Sequence, residues 1–337
     1  MTLQGITISE CVKFELRRYK QVGLLNIILG LLQVFLFFKY GPLIASFFQP
    51  YLLNLNLSEG WTQFVYLMIF HESLWLIING IWCFMYLTKF KFFEDCKIHK
   101  DEPLAWDTPA WKDEIWPITK KCLFINHFIM IPCLMIPNVL FNYATNDIMN
   151  YREVTLWEQV PQIMFFILVD DFIFFHSHWF FHANKWMYQK IHKVHHSYKH
   201  TMSFAAEMAH PLEFFIGNIL SVSAGNMILG KRVAFQTSVM WIFYKLYSST
   251  LGHSGYSFAW SFHSLIPFTT CKDFHEYHHL LFTGNYGNVF SIYDYIFRTV
   301  NPTYKKEIIH GEVGKSGKKA IDNVENKINE GKTEKVE

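Results

Sequence analysis

Residues 157–182 read WEQVPQIMFFILVDDFIFFHSHWFFH. Positions 157–175 form one apolar run, close to the ~20 residues that a helix needs to cross a bilayer core. Asp170 and Asp171 sit near its end, and the run then passes into His178-x-x-x-His182. Residues four apart share one face of a helix, so both imidazoles point the same way. An apolar helix ending in paired histidines reads as a membrane helix that delivers ligands at the water boundary.

Working outward, further apolar runs occupy 22–38, 64–87 and 122–143 before this segment and 212–229 and 233–251 after it. The last two are separated only by Gly230, Lys231 and Arg232 and read as a helical hairpin. The pattern predicts an all-α integral membrane protein. It is a multi-span helical bundle of about four to six membrane helices, as spans of ~20 residues imply, with a cytosolic helical cap. The 337 residues are 51% hydrophobic, 17% charged and carry a formal charge of +2, which suggests a lipid bilayer and no nucleic-acid partner.

Loop charge orients the spans. Lys13, Arg17, Arg18 and Lys20 precede the first run, and Lys89, Lys91, Lys97, Lys100, Lys112, Lys120 and Lys121 lie in the 88–121 loop. The 41–63 stretch has no Lys or Arg, and 144–156 has only Arg152. Excess positive charge marks the cytosolic side, so both ends of the hairpin face the cytosol. Lys231 and Arg232 at the hairpin tip disagree with that rule, which leaves open whether the hairpin crosses completely. Asn56-Leu57-Ser58 is a sequon in the loop expected to be lumenal. No cleavable signal peptide is apparent. Cys11, Cys83, Cys96, Cys122, Cys133 and Cys271 form no CxxC pair and read as free thiols. Three units are expected: N-terminal helices with a cytosolic loop at 1–156, a catalytic region at 157–304, and a polar, disordered tail at 305–337.

Of the 17 histidines, ten fall within 176–200 and 275–279. Three boxes stand out: His178-x-x-x-His182, His192-x-x-His195-His196 and His275-x-x-His278-His279. Read as helices, each box presents its imidazoles on one face. Three such faces supply eight nitrogen donors, which exceeds what one ion takes and suggests two metals. Imidazole suits Fe, Zn, Cu and Ni. Other metal chemistries fit less well. A zincin helix carries one HExxH; His275-Glu276 to His279 satisfies that string, but the extra His278 and the two other boxes have no place in it. Bis-histidine haem needs no doubled pairs, and soluble di-iron bundles rely on Glu with ExxH. His71, His99, His127, His263 and His310 read as satisfied interfacial histidines, while His176 and His200 do not fit the box spacing.

Box order and surrounding strings resemble the fatty acid hydroxylase/sterol desaturase superfamily of membrane di-iron enzymes, and within it most of all the C-4 methylsterol oxidases. The strings are Val169-Asp170-Asp171, Gln189 to His196 (QKIHKVHH), Ala206 to Glu213 (AEMAHPLE), His253-Ser254-Gly255-Tyr256, Phe274 to His279, Gly284-Asn285-Tyr286 and Tyr293 to Phe297 (YDYIF). The resemblance covers about 160–300. Departures lie in box one, where the family has HRxLH; after box two, where His200-Thr-Met-Ser-Phe204 replaces an APF-like segment; at Glu276, where the family often has Asp; and in the ending Lys335-Val-Glu, which lacks the dilysine retrieval signal.

The resemblance implies two non-haem irons on the eight box histidines, O2 as co-substrate and His253 as a further ligand. His210, Asp171, Glu207 and Glu276 are implied as ligands or as partners of ligands. Asp170, Glu213 and Asp273 join the acidic residues expected to orient imidazole N–H groups. It implies an oxidoreductase of the endoplasmic reticulum membrane, with boxes facing the cytosol. Such an enzyme oxidises a sterol methyl group through alcohol and aldehyde to acid. No GxGxxG or haem motif is present, so electrons come from a partner, cytochrome b5 or a relative with an NAD(P)H reductase. Two further readings stand beside it: oxidation elsewhere on a sterol or on a fatty acyl, alkane or aldehyde chain, and a metal-sensing transporter. A transporter places polar residues at the midplane on broken helices, whereas these boxes lie beyond the spans.

Overall fold

The computed structural model describes residues 8–47, 50, 54, 57–136, 152–270 and 272–309. The sequon asparagine, Cys271, His310, residues 137–143 of the expected third span and the tail from 310 onward lie outside them. Among the described residues the fold is helical, with only two isolated bridge pairs and no strand.

Four long helices come first: α1 (Ile8–Phe47), α2 (Glu59–Thr88), α3 (Trp111–Ile136) and α4 (Leu156–Ala183). The hairpin follows as α5 (Pro211–Arg232) and α6 (Phe235–Gly252), and then come two short helices, α7 (Lys272–Leu281) and α8 (Ile292–Phe297). Five stretches are long and apolar enough to cross a membrane: Val22–Phe47 of α1, Gly60–Thr88 of α2, and α3, α4 and α5. Their outward faces carry large apolar side chains; Leu24 is 74% exposed and Leu87 73%. A helix face that leaves such residues uncovered is suited to lipid rather than water. The protein is a multi-pass membrane protein.

Gly23 divides α1. Its φ of 74° lies in the left-handed region, open to glycine at little cost, and the helix breaks there. The basic segment before the break packs against the C-terminal part of the chain. Arg18 donates to the carbonyls of Ser264 (3.2 Å) and Ile266 (2.8 Å), and Arg17 to that of Ile309. Residues 302–309 form helical turns, with Ile309 buried.

The hairpin runs the length of α4. The Arg232 carbonyl at its tip accepts from Gln162 (2.9 Å), near the start of α4, and from Arg152 (3.2 Å), just before it, opposite the box-one end. The two limbs differ in character. α5 meets the composition and length expected of a span, but α6 is a buried core helix, with Trp241, Thr237 and Thr250 fully covered. It packs on α1, α2, α4 and α7. Several of its polar side chains find partners inside the bundle: Ser238 with Asn226, Trp241 with the Val222 carbonyl, Lys245 with Asp170 and Ser248 with His263.

Close approach of α4 and α5 depends on Gly225. A Cβ there would fall 2.5 Å from the Phe166 ring and 3.3 Å from the Phe166 Cα. Small residues let helix backbones meet in this way. Gly225→Leu is expected to destabilise by about 1–3 kcal/mol through overpacking, read as earlier thermal unfolding in detergent. Unfolding unchanged from wild type would show that the helices separate freely.

Candidate metal centre

Box one closes α4. Box two, expected as an α-helix, is a tight 3-10 turn (His192–Ser197), and box three lies on α7. Between boxes two and three, α6 ends at His253. These four places converge. The donor atoms of His178, His182, His192, His196 and His278 lie within 4.8 Å of one another, as do those of His195, His253, His275 and His279. The expectation that each box presents one common face is corrected here. The i and i+4 histidines of a box go to one cluster and the i+3 histidine to the other: His192 and His196 face away from His195, and His275 and His279 away from His278. Eight donors on three faces thus become five and four, with His253 completing the second set.

Imidazole orientation is set from behind. The Nδ1 of His178 meets the Tyr286 carbonyl (3.0 Å), His195 that of Met208 (3.1 Å), His253 that of Ser249 (2.8 Å), His278 that of Gly284 (2.7 Å) and His279 that of Tyr198 (3.2 Å). His192 Nδ1 lies 2.6 Å from Glu213 Oε1. A carbonyl accepts only, so it fixes the proton on Nδ1 and leaves Nε2 as a lone pair. The Nε2 atoms then face one another: His182 and His192 at 2.7 Å, His192 and His196 at 2.9 Å, His196 and His278 at 3.2 Å, and in the other set His253 and His275 at 2.8 Å and His275 and His279 at 3.2 Å. The Nε2 of His178 is buried without a hydrogen-bond partner. Converging lone pairs repel unless a cation lies between them. Ligand nitrogens ~2.1 Å from a shared ion, set at right angles, stand about 3 Å apart. The donor sets fit one ion each.

Burial pushes the imidazoles of His192, His196, His275, His278 and His279 well below the ordinary histidine value, with neighbouring histidines adding to the effect. His195 is lowered to about 4, again by burial. The rings are thus neutral near pH 7, the form that binds metal.

The acidic residues divide differently from expectation. Glu213 does orient a box imidazole, His192. Asp171 instead accepts from the Val289 (2.8 Å) and Phe290 (3.2 Å) amides, and Asp170 pairs with Lys245 (2.6 Å). Both serve the 284–290 loop and α6 rather than an imidazole. Glu276 accepts from the Thr201 amide (3.2 Å) and faces His200 (3.4 Å). Glu207 approaches His71 and His127, away from both clusters. His210 instead caps α5 by accepting from the Leu212 amide (3.2 Å). His71 and His127, read from sequence as satisfied interfacial histidines, share two carboxylates, Glu72 and Glu207.

Backbone carbonyls that hold the rings carry no residue signature, so Met208, Ser249 and Tyr198 gave no sequence signal. The loop that supplies two of them does. Asp294 accepts from the Tyr286 (2.9 Å) and Gly287 (2.7 Å) amides, and Gly284 has φ +73°. A Cβ at Gly284 would meet the Thr299 carbonyl at 2.5 Å and the Asn301 nitrogen at 2.9 Å. Gly284→Ala is therefore expected to displace the carbonyl behind His278 and lower activity by about 10–100-fold, the usual cost of losing support behind a ligand. Steady-state turnover checks this, and wild-type turnover would show the loop absorbs the methyl.

The site also has a mouth. His178, His195 and His253 line a small pocket with Phe174, Asn218 and Ser249. Asn218 and Ser249 also line a larger cavity of about 160 Å³, partly open to the outside, whose walls include Leu67, Ile131, Phe214 and Phe235.

Known proteins resemble this chain over much of its length. Residues 163–299 match the family model described as fatty acid hydroxylase. Methylsterol monooxygenase 2-2 of Arabidopsis thaliana is 31% identical over 239 residues, covering 68% of this chain and 83% of that protein. A putative methylsterol monooxygenase of Dictyostelium discoideum is 40% identical over 149 residues, covering 44% of this chain and 54% of that one. Very-long-chain aldehyde decarbonylase GL1-8 of Oryza sativa subsp. indica is 34% identical over 181 residues, covering 52% and 66%. No solved structure matches. With a helical membrane bundle, two histidine clusters and this kinship, the chain is an oxygen-dependent oxidoreductase that belongs to the fatty acid hydroxylase family, a class of membrane non-haem iron enzymes.

Proposed function

We propose that this chain oxidises a methyl or methylene group of a sterol, with the C-4 methyl group as the first choice. O2 is the oxidant. One iron is held by His178, His182, His192, His196 and His278, and the second by His195, His253, His275 and His279. When bound, the iron pair supplies oxygen activation. The protein's part is to keep nine imidazoles neutral and aimed, to bring an apolar substrate to them and to exclude bulk water.

One observation carries this reading: the pocket walled by His178 of one cluster and His195 and His253 of the other shares Asn218 and Ser249 with a mainly apolar cavity among the membrane helices. A bulky hydrophobic substrate can enter from the bilayer with one end against both clusters. Polar residues also line the cavity, His71, Glu207, Asn226, Ser238 and Lys245 among them, and can meet the polar group of a lipid. The methylsterol monooxygenase relatives favour a sterol. The aldehyde decarbonylase relative favours a second reading, a long-chain aldehyde or acyl substrate. A metal-sensing transporter is the weaker alternative, because the clusters close the helix ends instead of interrupting a span.

Electrons come from cytochrome b5 or a similar membrane donor fed by an NAD(P)H reductase. Lys185, Lys190, Lys193 and Lys199 are exposed around box two, a basic face suited to an acidic redox partner. That face lies on the cytosolic side of the endoplasmic reticulum membrane, and the catalytic unit is 157–304. The test is sterol profiling of cells lacking the protein. Accumulated 4-methylsterols, cleared by wild type but not by a His195→Ala variant, are expected. An unchanged C-4 pattern with altered long-chain aldehydes or alkanes would transfer the chemistry to the second reading.

Glu213 gives a finer test. Its carboxylate, 2.6 Å from His192 Nδ1, raises the donor strength of that imidazole. Glu213→Gln is expected to weaken metal retention in the five-histidine set by about 10–100-fold, measured by chelator competition. Retention equal to wild type would remove the carboxylate from the assembly.

A further inference from the structure

A second polar assembly lies apart from the boxes. His71 and Glu72 come from α2, His127 from α3, and Glu207 from the turn before α5. His71 Nδ1 lies 3.1 Å from Glu72 Oε1 and His127 Nδ1 2.9 Å from Glu72 Oε2, both as hydrogen bonds. Glu72 therefore holds both rings from behind, as carboxylates do for metal-bound histidines. On the other side both Nε2 atoms approach Glu207, His71 at 3.4 Å and His127 at 2.9 Å.

The contact between His127 and Glu207 is not a hydrogen bond. Nε2 of His127 and Oε2 of Glu207 are both buried and have no hydrogen-bond partner, although they are 2.9 Å apart. His127 is 3% exposed and Glu207 6%. A ring of ion pairs would aim each N–H at an oxygen. Ligand atoms that share a cation instead stand side by side, with lone pairs converging on the ion. If Glu72 takes both Nδ1 protons, the two Nε2 lone pairs face the Glu207 carboxylate, an arrangement that repels without a cation between them. Asn126 fixes the chain there by donating to the Glu207 (2.9 Å) and Ala209 (3.0 Å) carbonyls.

We propose that His71, His127 and Glu207 bind one divalent transition-metal ion, with Glu72 orienting both imidazoles. Two histidines and one carboxylate form a donor set suited to zinc or ferrous iron. His71 and Glu207 also line the large membrane-level cavity, so the ion's remaining position faces that cavity and takes an oxygen ligand from it. The two negative carboxylates become a neutral site once a divalent ion is bound, which removes a cost that buried charge otherwise carries in a bilayer. The site does not depend on the box histidines holding iron.

The test is metal analysis of full-length protein in detergent. Wild type is expected to hold about three divalent ions per chain, one for each donor set. Glu207→Gln, close in shape, and His127→Ala are each expected to hold about one fewer while keeping the box-site metal. A His275→Ala protein is expected to keep the ion at His71, His127 and Glu207. Titration of metal-stripped wild type with Co2+ supplies a readout that needs no variant: a visible absorption band of low-symmetry cobalt that Glu207→Gln lacks. Wild type with two ions, both unaffected by Glu207→Gln and His127→Ala, would overturn the site and leave an ion-pair ring. One ion that is lost in Glu207→Gln but not in His275→Ala would support this site and count against the paired irons.

Discussion

Replacing His279 with alanine is expected to abolish turnover and strip one metal from the protein, whereas replacing its neighbour His278 abolishes turnover but leaves a weakly held metal. The two residues are adjacent in sequence and belong to different donor sets. His279 is one of four histidines with His195, His253 and His275, so its loss leaves three donors. His278 is one of five, so its loss leaves four. A site cut to three imidazoles loses more of its affinity than one cut to four, and a first-contact ligand matters more than its support, whose removal costs about 10–100-fold. The expected result is about one metal fewer for His279→Ala after dialysis against chelator, and an intermediate loss for His278→Ala, each at more than about 100-fold lower activity. The pair His195→Ala and His196→Ala should repeat the contrast, with His195 in the four-histidine set. Equal metal loss from both neighbours would show that one undivided site holds all nine histidines, and the split would be wrong.

The eight box histidines were legible because their spacing is a local property, and His253 only through the family resemblance. Box one at i and i+4, boxes two and three with an added i+3, and His253 at the end of the hairpin all converge in space. Their partition was not legible. Helix type does not set it: box two is a 3-10 turn and box three an α-helix, yet both send the i and i+4 rings to one set and the i+3 ring to the other, according to where each donor set lies between the elements. Nor could spacing identify the groups behind the rings. Five of the six Nδ1 partners are backbone carbonyls, which any residue supplies, and only Glu213 left a side-chain trace.

Acidic residues at membrane depth were the least readable part. Each needed a partner, but the partner lay far along the chain: Asp171 with the amides of Val289 and Phe290, Asp170 with Lys245, and Glu207 with His71 and His127. The spans themselves followed hydropathy well, apart from α6. Its apolar sequence matched a span, while its buried Lys245 and Thr237 mark it as the core around which the others pack.

That lysine leads to the second large effect. Lys245 Nζ lies 2.6 Å and 2.8 Å from the two Asp170 oxygens, and Asn288 donates to the same carboxylate at 3.1 Å. The side chains are 7% and 0% exposed. Lys245→Met keeps the length and removes the charge, leaving Asp170 buried without its counter-ion. Breaking a buried pair from one side costs about 3–5 kcal/mol, which corresponds to a fall in thermal midpoint on the order of 10 °C for a chain of this size. The double variant Asp170→Asn with Lys245→Met removes both charges and should recover most of that loss, since the penalty arises from the stranded carboxylate rather than from the missing attraction. Activity should follow a different course. Asp170 also holds Asn288, which precedes the Val289 and Phe290 amides bound by Asp171 and follows the Tyr286 carbonyl behind His178. Even the thermally restored double variant is therefore expected to turn over slowly, because its loop no longer fixes the His178 ring. Recovery of stability and turnover together would show that the ion pair serves packing alone, and that the loop is held well enough by Asp171 and Asp294.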